Sequence, residues 1–180
     1  MGYCSVEDLG GVSLDGRYFF DTNVLIYLYG PFLDVRDPKY KFYVSVQDNI
    51  LKNRGEIFVS PTVISEFVNT YLRLVFSLYN STNNSALKFK DYRNTNDYID
   101  NAQEVDGQIN EILMISSLLC DIVSIDNIVK FCDRIHSNKS DMNDEMISFM
   151  CQKNGLVLIT HDKDFIGCGV DILSNNKIYK

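Results

Sequence analysis

Short apolar runs alternate with helix-patterned stretches along most of this 180-residue chain, and that alternation restricts the fold more than any other feature. Tyr18-Phe19-Phe20, Ile57-Phe58-Val59 and Leu156-Val157-Leu158-Ile159 are too short for helices. They are also too continuously apolar for strands with one wet face. Val170-Asp171-Ile172-Leu173 is a further candidate strand. Between these runs, Phe42, Val46 and Ile50 keep i, i+4 spacing, and Val63, Phe67, Tyr71 and Val75 form one helical stripe. Strands separated by helices pair in parallel, because a crossover of that length returns the chain to the same edge. The expected fold is therefore α/β, with a central, mostly parallel sheet covered by helices on both faces.

Punctuation residues set the boundaries. Asp37-Pro38 and Ser60-Pro61 each read as an N-cap followed by proline at the first helical position. Gly30-Pro31, Gly55 and Gly155 read as stops. Helices are expected over about 23–29, 38–53 and 61–78, from Asp126, and from Ser140 or Asp141. Helical spacing also returns with Ile109, Ile112, Leu113 and later Leu119. Residues 120–125 read as a short strand or connector, and residues 1–16 as a polar arm. The length fits one domain spanning 1–180. Six asparagines between Asn80 and Asn101, with few apolar residues, mark 79–107 as an insertion or lid.

Composition excludes more than it assigns. Lys+Arg 17 against Asp+Glu 24 gives −7, so the chain lacks the global basic signature of many nucleic-acid binders. Five scattered cysteines (Cys4, Cys120, Cys132, Cys151, Cys168) without a C-x-x-C fit buried free thiols in a reducing compartment. Two histidines and no C-x-x-C argue against a zinc site. With no signal pattern at the start and no apolar run near ~18 residues, a soluble cytoplasmic protein is expected. Tyr27, Tyr29, Phe32, Phe42 and Phe67 are assigned to the core. An apolar helix stripe serves either that core or a homodimer.

Four acids stand at comparable places. Asp21 and Asp162 follow the ends of apolar runs by one and three residues. Glu66 lies in the second turn of the helix after the run ending at Val59, and Asp144 at the start of another helix. In an open parallel sheet these positions share the edge beyond the carboxyl ends of the strands. Each acid alone also reads as a cap, a first-turn acid or a loop residue. Together they form an oxygen-rich set suited to Mg²⁺ or Mn²⁺. Such an ion polarises a phosphoryl oxygen and activates a water, which points to phosphodiester hydrolysis. Asp141 and Glu145 compete with Asp144 for the third place, and Asp164 with Asp162. An aspartyl-nucleophile phosphatase is a competing reading. That chemistry commonly wants an Asp two residues after the first, where this chain has Asn23.

Four pieces together resemble the PIN-domain family, and within it the VapC-like ribonuclease toxins. They are Phe20-Asp21-Thr22-Asn23-Val24-Leu25-Ile26, Ser60-Pro61-Thr62-Val63-Ile64-Ser65-Glu66-Phe67, Asp144-Glu145-Met146-Ile147, and Leu158-Ile159-Thr160-His161-Asp162-Lys163-Asp164-Phe165. The resemblance implies a three-layer α/β/α sandwich and Mg²⁺- or Mn²⁺-dependent endoribonuclease activity on single-stranded RNA. It places Asp21, Glu66, Asp144 and Asp162 at the metal, with Asn23 and Thr160 orienting a carboxylate or water beside them. A toxin of this type implies an antitoxin partner. A PIN-like binding module without catalysis is the alternative, and the presence of all four acids argues against it. Lys88, Lys90 and Arg93, interleaved with Phe89 and Tyr92, are candidates for a single-strand RNA clamp. His161 is a candidate proton donor or a flanking residue.

Overall fold

The computed structural model describes residues 3–5, 13–120, 123–138 and 140–179. Six strands form one parallel sheet: β1 (Tyr3–Ser5), β2 (Arg17–Phe20), β3 (Glu56–Val59), β4 (Ser116–Leu118), β5 (Val157–Ile159) and β6 (Ile172–Ser174). Their spatial order is β1-β6-β5-β2-β3-β4, and every pairing is parallel. Seven α-helices, α1 (Thr22–Tyr29), α2 (Pro38–Lys52), α3 (Pro61–Thr82), α4 (Phe89–Tyr92), α5 (Asn96–Ile115), α6 (Ile125–Asn138) and α7 (Met142–Asn154), and a short 3₁₀ turn (Lys177–Tyr179) complete the described elements. The result is the expected α/β/α sandwich.

β2 is the middle of the structure. Tyr18, Phe19 and Phe20 are buried in succession, as a strand covered on both faces requires. Phe19 pairs with Phe58 of β3 on one side and Leu158 of β5 on the other. The ladder runs one residue further, because the Asp21 amide donates to the Ile159 carbonyl at 3.1 Å. Fully burying Phe19 and Phe20 contributes roughly 2–3 kcal/mol each. The strand end is thereby anchored where the chain turns into α1.

The caps form as their residue types dictate. Asp21 accepts from the Thr22 amide at the start of α1. Asp37 accepts from Lys39 N at 2.8 Å, and Ser60 from Val63 N at 3.3 Å. Asp141 and Asp144 form a reciprocal capping box on α7. α1 stops at Gly30, where a Cβ would fall 2.4 Å from the Ile26 carbonyl oxygen. α7 ends at Gly155 in the left-handed region, φ 62°.

Several expectations are corrected. The strand sought over 120–125 lies at 116–118 instead, and Leu119 N extends its pairing to the Val59 carbonyl at 2.7 Å. Ser116-Ser117-Leu118 is an exposed edge without an apolar signature, so hydrophobicity does not betray it. Residues 121 and 122 lie outside the described residues. α6 begins before Asp126, and Ser124 serves its start by accepting from Asn127 N at 3.3 Å. Part of the expected polar arm is strand β1, which pairs with β6. Phe32 is 54% exposed, because it lies just past the Gly30-Pro31 stop rather than on a packed helix face. Cys120 and Cys132 are exposed, whereas Cys151 is buried.

Residues 79–107 span the last turn of α3, all of α4 and the first part of α5, with connections at 83–88 and 93–95. Tyr92 is fully buried there, in a ring cluster with Phe76, Tyr79, Phe89 and Tyr98. No helix among the described residues is long and apolar enough to cross a membrane.

Candidate functional site

The carboxyl ends of β2 and β5 open into a cleft of about 310 Å³. Its lining includes all four expected acids: Asp21, Glu66, Asp144 and Asp162. Asp141 and Asp164 also face it, with Thr22, Asn23, Tyr27, Thr70 and Asn143.

Asp21 is the most constrained of these groups. It is 5% exposed. Its Oδ1 accepts from Thr22 N at 2.7 Å, and its Oδ2 accepts from Thr160 Oγ1 at 2.7 Å and Asn23 Nδ2 at 2.5 Å. Thr160 Oγ1 also accepts from Asp162 N at 2.9 Å, and Asn23 Oδ1 accepts from His161 N at 2.9 Å. Asn23 and Thr160 therefore tie α1 to the loop after β5 through the Asp21 carboxylate. Burial pushes the Asp21 carboxyl up to about 7, with the charges of Glu66 and Asp162 adding to the rise. The hydrogen bonds from Thr160 and Thr22 oppose it.

The other acids are held more loosely. Glu66 Oε2 accepts from Thr22 Oγ1 at 3.1 Å and from Asn143 Nδ2 at 3.5 Å. Asp144 Oδ2 accepts from Asp141 N at 3.2 Å in the capping box. Burial, then the charges of Asp141, Asp162 and Asp164, push the Asp144 carboxyl up to about 6. Asp162 is exposed, and its Oδ1 accepts from Asp164 N at 3.1 Å.

Glu145, the rival of Asp144, turns away from the cleft. Its buried carboxylate pairs with Arg134 of α6 at 2.8 Å and accepts from Ser140 Oγ at 2.7 Å. Neighbours on a helix point about 100° apart, so only one of the two can face the cleft. Lys88, Lys90 and Arg93 do not line the cleft. The rings between them are occupied: Tyr92 is buried, and Phe89 packs on Phe76 at 5.3 Å between centroids. Phe89 is half-buried, with the Arg73 and Arg93 guanidiniums 5.1 and 5.0 Å from its ring centroid. His161 is half-buried, and Tyr43 Oη lies 3.1 Å from its Nδ1. Burial first, then the Lys39 charge, hold the imidazole below its ordinary range.

Sequence reasoning missed Tyr27 and Thr70 as cleft residues. Each lies four residues beyond a polar group already singled out, Asn23 on α1 and Glu66 on α3. The i, i+4 neighbour of a site residue shares its helix face, and that signal was available.

Among the described residues, no three His, Cys, Asp or Glu side chains stand close enough, as placed, to enclose a metal ion. The donors still fit Mg²⁺ or Mn²⁺ by type, being hard carboxylate, hydroxyl and amide oxygens, and Mg²⁺ usually keeps several waters. Burial first, and repulsion among the acids after it, raises Asp21 and Asp144, and a divalent cation relieves that repulsion.

An open parallel sheet with acids gathered beyond its carboxyl edge defines the class: an α/β protein with its polar site at the strand ends. The chain belongs to the PIN domain family, whose model matches residues 18–168. No curated protein matches it. Among solved structures, it is similar to VapBC2 from Rickettsia felis bound to a DNA fragment from their promoter. That match has 12% identity and a TM-score of 0.54, and covers 88% of this chain and 98% of the other. It is also similar to FitAcB from Neisseria gonorrhoeae, with 14% identity, a TM-score of 0.52, and coverage of 87% and 96%. At these identities the likeness is one of fold.

Proposed function

We propose that this chain is a Mg²⁺- or Mn²⁺-dependent endoribonuclease that cleaves single-stranded RNA by water attack on the phosphodiester. The observation that carries this reading is the cleft. In a chain of the PIN domain family, it holds a buried Asp21 raised by burial and by the charges of Glu66 and Asp162. Asp21, Glu66, Asp144 and Asp162 are the groups that would hold the cation. The ion would supply a Lewis acid for the phosphoryl oxygen and a more acidic bound water.

The chain's own residues do the rest. Asn23 and Thr160 fix the Asp21 carboxylate by hydrogen bonds, so its oxygens keep one orientation. Without a cation, burial pushes the Asp21 carboxyl up to about 7, and a bound cation would favour its ionised form. The same holds for Asp144, which burial pushes up to about 6. We further propose that the chain is the toxic half of a toxin–antitoxin pair, restrained by an antitoxin that covers the acidic cleft. Its fold likeness to VapBC2 and FitAcB chains supports this.

The test is incubation of purified protein with single-stranded RNA and Mn²⁺, beside an EDTA control and Asp21→Asn. Cleavage by the wild type alone, lost in both other samples, is expected. Equal cleavage in all three, or none in the wild type with Mn²⁺ or Mg²⁺, overturns the proposal.

A further inference from the structure

A polyanion entering this cleft meets an electrostatic problem. Six acids line it (Asp21, Glu66, Asp141, Asp144, Asp162 and Asp164), and no Lys or Arg stands among its lining residues. A cation bound by the acids would answer for the phosphate being cleaved, but not for the next one along the strand.

One lysine is tied to the cleft wall. Tyr27 lines the cleft from α1, and Lys39 Nζ donates to its Oη at 3.1 Å, with the ammonium 5.1 Å from the ring centroid. Lys39 sits in the first turn of α2, its own amide held by the Asp37 cap at 2.8 Å. The anchor is rigid. Tyr27 stacks on Tyr43 with centroids 5.8 Å apart and planes 9° from parallel, and meets His161 edge-on at 5.5 Å. Tyr43 is fully buried, and its hydroxyl donates to the Thr160 carbonyl at 3.0 Å. The lysine is thus linked, through two rings, to the strand end that carries Thr160 and Asp162. No carboxylate among the described residues pairs with its ammonium, so its charge is available to a ligand.

We propose that Lys39, positioned by Tyr27, receives the backbone phosphate adjacent to the scissile one and is the substrate-binding cation of this cleft. This rests on the ribonuclease reading above. An ammonium is a compact point charge suited to one phosphate. Each such contact on a single strand releases counterions and adds about 0.7 to the slope of log affinity against log salt.

The experiment measures steady-state cleavage of a single-stranded oligoribonucleotide with Mn²⁺, from about 50 to 200 mM KCl. It compares wild type, Lys39→Gln, Lys39→Arg and Tyr27→Phe. Lys39→Gln is expected to raise KM about ten-fold, the worth of one charged hydrogen bond, with kcat nearly unchanged. Its salt slope should fall by about 0.7, and Lys39→Arg should restore both. Tyr27→Phe removes the anchor while leaving the charge. It should raise KM less, about three-fold, and keep the wild-type slope. An unchanged KM and slope in Lys39→Gln overturns the inference while the ribonuclease reading stands. So does a loss confined to kcat. A wild type that cleaves no RNA overturns both.

Discussion

Replacing Asp21 with Asn should make the metal-free protein less stable in acid and more stable in mild alkali. The folded carboxyl titrates at about 7 against an ordinary 3.8, a gap of about 3. At 1.36 kcal/mol per pH unit that gap is worth about 4 kcal/mol. The folded state binds this proton more tightly than the unfolded one. The associated stability is therefore fully present below about pH 4 and is lost as pH rises towards 7. Asn cannot ionise, so it escapes that loss. It has its own cost, because its amide would confront the Asn23 amide that now donates to Asp21 Oδ2. Losing that bond costs about 1 kcal/mol. The variant should be about 1 kcal/mol less stable near pH 3, equal at pH ~4.5, and about 3 kcal/mol more stable at pH ~8.5. Urea denaturation in EDTA across that range measures the difference. A variant less stable than wild type at every pH refutes the reasoning.

Three further substitutions probe the frame around the cleft. Thr160→Val keeps the volume but removes the hydroxyl that donates to Asp21 and accepts from Asp162 N. The Mn²⁺ concentration giving half-maximal thermal stabilisation should rise about ten-fold, and an unmoved midpoint would deny Thr160 its orienting role. Arg134→Met leaves the buried Glu145 carboxylate without its charge partner. Because the arginine is 39% exposed, we expect a loss of about 1–3 kcal/mol in chemical denaturation, less than for a fully buried pair. Gly155→Ala meets open space at its Cβ, so only the backbone at φ 62° resists it. A loss of about 1 kcal/mol should lower the melting temperature without changing RNA cleavage.

The parts of the fold that sequence reveals are those where one residue type answers one physical need. Three aromatic side chains in succession on β2 require cover on both faces. Asp37-Pro38 and Ser60-Pro61 start helices because proline needs no amide partner there. The same logic places the acids, each at a short offset from a strand end or helix start, and all four reach one cleft. Legibility fails where the signal depends on partners. β4 has no apolar pattern because it is an edge, and only its register with β3 makes it a strand. Asp144 and Glu145 are indistinguishable in sequence until the capping box and the Arg134 pair orient them. Tyr27 reads as core and partly is, yet it also forms cleft wall, because one ring can pack on Tyr43 and present its edge to solvent.

The strand order has a temporal consequence. β2 lies between β3, a near neighbour in sequence, and β5, which is more than 130 residues further along. Asp144 and Asp162 follow Glu66 by 78 and 96 residues, so they leave a ribosome well after Asp21 and Glu66. Until β5 docks beside β2, the acids of the two halves have no shared edge, and pairings this distant in sequence form late. The cleft is therefore complete only after strands more than 130 residues apart have met, so its chemistry belongs to the docked sheet and to neither half of it.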